Sequence, residues 1–265
     1  VHYGRALAMQ GETCHRYGRF EEAIESHVKL KQVYDVEKHS ALVVAAYASD
    51  RCAQNFGVTS NCYVLTDQID KALEIADHIE FELMPHMNLK NVHNSAVTLF
   101  PILWMLKDNG QVERSYNLFK KYLKEPFDQF YGKDGSTPFL PTFKPFQVLF
   151  DTCLYMEKDN EGDHKMIDES YFDWALNIDN MKCFPRSEVA IGNFGRGPMS
   201  ISAEACLNLA KITKDDDKKM EILKNGATLA ELTTSGIDGS NGPKNHFAYL
   251  QIKGVHDEIK FLLDE

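Results

Sequence analysis

Apolar and polar positions along the chain recur with the three-and-four spacing of amphipathic helices, and no segment shows the period-two alternation of a half-buried strand. The stretch from Ala8 through Tyr34 reads as a short helix, a turn and a second helix, with Gly11, Gly18, Phe20, Ala23, His27 and Leu30 at fixed offsets. Gly11 and Ala23 are small where the two helices of a hairpin must approach, Gly18 breaks the chain between them, and Phe20 fills the space they enclose. The offsets return at Asp67, Ile69, Ala72, Ala76, Ile79 and Pro85, with Thr66-Asp67-Gln68 as the turn and the proline as the stop. They return less faithfully at Gly110, Val112, Ser115, Phe119, Tyr122 and Pro126, after an apolar helix from Val97 to Leu106.

This is the logic of the tetratricopeptide repeat, in which stacked hairpins bury a continuous core. The small residue of each second helix falls at Ala23, Ala72 and Ser115, at intervals of 49 and then 43 residues. The standard repeat is about 34 residues long, so helices or connections must be extended. The first extension sits around Asp35 to Asp50. Residues 127–145 are rich in Gly, Pro and aromatics and read as an irregular connection. Beyond it, helices are expected over about 146–158 and over Ile167, Tyr171, Trp174, Ala175 and Ile178, forming a hairpin. Ile201–Ile212 and Met220–Leu232 form the next pair, with Asp215, Asp216 and Asp217 capping the second, and Phe247–Leu263 is broken at Gly254. The expected fold is all-α: an α-α superhelix of antiparallel hairpins over 1–265, with sub-halves 1–126 and 146–265.

The run from His15 to Ala23, then His27, Tyr34-Asp35, His39, Tyr47, Asp50 and Ala72-Leu73, resembles the helical-repeat region C-terminal to the ATPase module of multidomain signalling ATPases, including adenylate cyclases and kinase-linked relatives. The resemblance covers about residues 8–126. Ala48 and Arg51 stand where Gly and Pro are usual in that family. It implies a docking or regulatory region without an active site of its own. A start at Val1 within apparent helix, and an end at Glu265 just after one, fit a piece of a longer polypeptide.

Apolar residues make up 43% and charged residues 26% of the chain, a balance that supports a buried core. The net charge of −10 and the lack of a basic stripe exclude a phosphate-backbone partner from the expectation. Cys14, Cys52, Cys62, Cys153, Cys183 and Cys206 form no Cys-x-x-Cys pair and read as core residues of a reducing, cytoplasmic compartment. No apolar run approaches the roughly 20 residues that span a bilayer.

Chemistry is sparse. Gly192, Gly195, Arg196 and Gly197 before a helix could cradle an anion, but the Gly-Lys-Ser/Thr ending of a phosphate loop is missing, and a structural loop between repeats is the plainer reading. That loop, with Arg186, carries the alternative of a helical enzyme or a small-molecule or phosphate sensor. The acidic turn Asp159–Asp163 puts His164 and Ser170 where a calcium loop needs Gly and Glu. The histidines form no zinc motif, and neither metal, cofactor nor catalytic residue is assigned.

What remains is a surface. In tetratricopeptide hairpins the first helix of each pair lines the concave groove. By that resemblance Arg5, Glu12, His15 and Arg16, then Gln54 and Asn61, then Phe100, Trp104 and Lys107 would face a protein or peptide partner. Cations and amides suit carboxylates, and aromatics supply contact area. Phe100 and Trp104, four apart on one face, equally suit a core, and Arg16 an ordinary exposed position.

Overall fold

The periodic stretches fold as helices. The computed structural model describes residues 1–88, 92–131, 140–159, 167–181, 198–234 and 246–264, and no strand occurs among them. The chain divides into two compact units, Val1–Asp134 and Gly135–Glu265.

The first unit opens with α1 (His2–Arg16), α2 (Phe20–Val33), α3 (Val36–Tyr47) and α4 (Arg51–Leu65). Next, α5 (Ile69–His78) runs through a π turn (Ile79–Leu83) into a 3-10 turn at Met84–His86. After α6 (Val92–Asp108), α7 (Val112–Phe119) passes through a second π turn (Lys120–Lys124) into α8 (Glu125–Tyr131). Helices α1, α4 and α6 adjoin in that order, and α2, α5 and α7 each pack on the helix before the turn.

The three turns are built alike. Gly18, Asp67 and Gly110 take positive φ angles of 73°, 58° and 74°. Just after each, the N–H of Arg19, Gln68 or Gln111 donates to the carbonyl of Cys14, Tyr63 or Leu106, 2.8 Å away in all three cases. This is the six-to-one bond of a Schellman turn, which satisfies a carbonyl that the helix end would orphan. Ala23, Ala72 and Ser115 follow at constant offset, each at most 1% exposed, and the Ser115 hydroxyl donates to the Leu103 carbonyl across the hairpin at 2.7 Å.

The extra length of the first interval is a helix. Asp35 caps α3 by accepting from the Lys38 N–H at 3.2 Å, and α3 ends at Ala48, held left-handed at φ 60°. Small residues also act differently from expectation. A Cβ on Gly11 would stand 2.6 Å from the Asn55 amide nitrogen of α4 but 3.5 Å from the Ala23 carbonyl, so its tightest fit is between repeats rather than within the hairpin. A Cβ on Gly57 would come within 2.5 Å of the Thr98 carbonyl oxygen and 3.2 Å of Pro101 Cγ. Pro101 lies inside α6, where it lacks an N–H and its ring crowds the preceding turn. Gly57 provides the space in which α4 meets that segment.

In the second unit, α9 (Leu140–Asp159) packs chiefly on α12 (Pro198–Ile212), while α13 (Asp216–Thr234) lies between α12 and α14 (His246–Asp264). The irregular reading of 127–145 is therefore too long at both ends. Pro145 sits inside α9, and α8 reaches Tyr131. The stripe around Tyr171 is two short helices, α10 (Ser170–Leu176) and α11 (Ile178–Met181), joined at the extended Asn177. Helix α10 packs mainly on α13 instead of pairing with α9, although the Tyr171 hydroxyl donates to Asp151 of α9. The expected α12–α13 pair is present, and Asp215 caps α13 by accepting from the Lys218 N–H at 3.0 Å. Gly254 does not break α14, which is continuous. No helix among the described residues is long and apolar enough to cross a membrane.

Candidate functional site

The residues assigned to a groove on α1, α4 and α6 prove to be mostly interior. Buried positions on α1 are Gly4, Leu7, Ala8, Gly11, Glu12, Cys14 and His15, one stripe at helical spacing. Two polar residues ride in this stripe. Glu12, 7% exposed, accepts from Arg51 of α4 at 3.0 Å. Burial pushes its carboxyl up from the ordinary value, against the opposing pull of the Arg51 and Arg16 charges. His15, 5% exposed, lies 3.2 Å from the Asn61 side-chain nitrogen, so two groove candidates from different hairpins do meet. Burial, with Arg16 adding to it, pushes the His15 imidazole down to about 4.

Helix α4 is buried on all sides from Cys52 to Tyr63 and carries the rest of the polar seam. Gln54 donates to Asn94 of α6 at 3.1 Å, and the Asp50 N–H donates to the same oxygen at 3.2 Å. Asp50, fully buried, caps α4 by accepting from the Ala53 N–H and also accepts from the Tyr34 hydroxyl at 2.6 Å. Burial and the Asp50 charge hold the Tyr34 phenol in its protonated form. Asn55 donates to the Ala8 carbonyl and presents its oxygen to His27, both at 3.2 Å. Buried polar groups without partners are costly, so this chain of pairs selects one arrangement of α1, α2, α4 and α6.

Among the aromatic candidates, Phe100 and Trp104 are core residues at 8% and 5% exposure. Lys107 lies over the Trp104 ring and pairs with Asp108 at 2.6 Å. Arg5 stacks over Tyr47 of α3, 3.8 Å from the ring centroid, and the Tyr47 hydroxyl also meets His2. Arg16 is exposed. Exposed apolar groups join it on α1: Tyr3, Met9 and, at the helix end, Tyr17.

Asp50, Arg51, Asn55 and Asn94 had no place among the sequence candidates. The detectable signal was positional, since Asn55 and Thr59 fall one turn apart in the helix, and both are buried. Gly192, Gly195, Arg196 and Gly197 lie outside the described residues, as do Arg186 and Cys183. Cys14, Cys52 and Cys62 are buried free thiols, and burial pushes the Cys52 thiol up to about 12. Among the described residues no three His, Cys, Asp or Glu side chains are grouped to hold a metal.

No protein-family model, curated protein or solved structure matches the chain at the significance required of a match.

Proposed function

We propose that the chain is a tetratricopeptide-like solenoid serving as a non-catalytic docking or regulatory module of a larger cytoplasmic signalling protein, with a protein or peptide as its partner. The supporting observation is the threefold recurrence of one turn, with a left-handed residue at the same position, a closing bond of 2.8 Å and a buried small residue five positions on. A repeat whose first helices adjoin in sequence order extends a surface instead of closing a pocket. The polar seam belongs to the interior and stiffens that surface. Recognition falls to the exposed face of α1, where Met9, Thr13 and Arg16 follow one another at helical spacing and Tyr17 stands exposed at the helix end. Aromatic and arginine side chains are the usual anchors of protein recognition, and the guanidinium suits a carboxylate-bearing peptide.

The test is selection of peptides from a random library on the 265-residue chain, followed by titration against the paired variant Arg16→Glu/Tyr17→Ser. The expected result is saturable binding weakened by about tenfold or more, equivalent to about 1.4 kcal/mol, with the far-UV spectrum unchanged. Equal affinity in the variant, or no saturable peptide, refutes this reading.

A further inference from the structure

The three hairpin turns share one geometry but not one chemistry. The residue before the left-handed position is Tyr17 in the first, Thr66 in the second and Asn109 in the third. Asn109 alone of the three sets a side-chain carboxamide beside the backbone nitrogen of a glycine, Gly110. An Asn-Gly step can rearrange with water as its only reactant, because glycine has no Cβ to keep its nitrogen from the carboxamide carbon.

The step occurs once more among the described residues, at Asn225-Gly226, and the fold treats the two differently; Asn241-Gly242 lies outside the described residues. Asn225 lies inside α13, where its Nδ2 donates to the Ala175 carbonyl at 3.0 Å and to the Leu176 carbonyl at 3.2 Å. Gly226 is buried, and a Cβ there would stand 3.1 Å from both Cys206 Cβ of α12 and Ile259 Cδ1 of α14. Turning the Asn225 side chain towards the Gly226 nitrogen therefore requires α13 to part from its neighbours. Asn109 and Gly110 are exposed, and a Cβ on Gly110 would meet nothing within 4 Å. What holds them is local. Asn109 Nδ2 donates to the Met105 carbonyl at 2.7 Å, and the Gly110 N–H donates to the Lys107 carbonyl at 3.1 Å. These bonds lie at the end of α6, and helix ends open at little cost.

We propose that Asn109 is a site of spontaneous deamidation that ages the third hairpin. The Gly110 nitrogen passes its proton to solvent base and attacks Asn109 Cγ; the carboxamide nitrogen takes up a proton and leaves as ammonia, closing a five-membered imide. One water then opens the ring at either carbonyl, which leaves an aspartate or an isoaspartate at this position. Either product removes the donor to the Met105 carbonyl and sets a negative charge beside Asp108, at the negative end of the α6 dipole. The isoaspartate also adds a methylene to the backbone inside the ring that Gln111 N–H closes on the Leu106 carbonyl. The change runs one way and loosens α7 on α6, while the turns at Gly18 and Asp67, which lack the carboxamide, keep their form. This site is independent of the peptide surface on α1, so either can fail without the other.

The experiment incubates the 265-residue chain at neutral and at mildly alkaline pH in water enriched in heavy oxygen, folded and in urea, and maps its peptides by mass spectrometry. In the folded chain Asn109 should convert about tenfold or more faster than Asn225, faster still at alkaline pH, with uptake of heavy oxygen and with isoaspartate among the products; in urea the two rates should converge. Hydrogen exchange at the Gln111 amide should quicken about tenfold or more in the aged chain, and not in aged Asn109→Gln, whose longer side chain closes no five-membered ring. The proposal is overturned if Asn109 converts no faster than Asn225 in the folded chain, if aspartate forms without isoaspartate, or if exchange at Gln111 is the same in the fresh and aged parent.

Discussion

Ala48 shows how a single residue records a compromise. It ends α3 with φ at 60°, a region where a Cβ crowds the following carbonyl. Replacing it by Gly removes that crowding at some cost in chain entropy, so Ala48→Gly should stabilise the protein by about 1 kcal/mol. A urea denaturation midpoint that falls instead of rising would contradict this. Local sequence pattern offers no reason for Ala at this position. It also misplaced Glu12 and His15. Polar types default to the surface, and the partners that bury these two, Arg51 and Asn61, lie 39 and 46 positions away. Their place in the stripe that includes Leu7, Ala8, Gly11 and Cys14 was the available clue.

At the scale of elements, the turns were legible because their chemistry is local. Gly18 and Gly110 supply the left-handed residue directly, and Asp67 supplies it as one of the few side chains that tolerate that region. The inserted α3 was not legible, because its hydrophobic stripe is weak and only Ser40 and Val43 are buried. Nor was the fit of α4 on α6, which depends on a glycine meeting a proline-containing helix 41 positions later at Thr98. Gly57→Ala should force those helices apart. The expected loss is about 1–3 kcal/mol, as in overpacked cores, with an unchanged denaturant slope. Gly254→Ala is the control. A Cβ there meets nothing, so it should stabilise α14 slightly. A loss at Gly57 no larger than at Gly254 would show that α4 and α6 are not in tight register.

For the whole molecule, the buried imidazoles set an acid limit. His15 and His27 are both held near 4 in the folded chain and return to about 6.5 when unfolded. Between those values the unfolded state binds more protons, so stability falls as pH drops from about 6.5 towards 4 and the two groups add nothing further below it. The slope reaches at most about 2.7 kcal/mol per pH unit for two protons. Glu12, shifted upward, works in the opposite direction, and acid also relieves the repulsion of a chain with net charge −10. Denaturation midpoints across this window check the sign. His27→Gln, which keeps a donor for Asn55, should flatten the profile, and a profile already flat in the parent would refute neutral burial.

The repeated turn also bears on how the fold is reached. Each hairpin closes through a bond between residues five apart in sequence, so ring formation sacrifices little chain freedom. Nucleation can thus begin independently at Gly18, Asp67 and Gly110. The slower work is left to the seam that joins one hairpin to the next, and there a misplaced asparagine would delay assembly rather than prevent it.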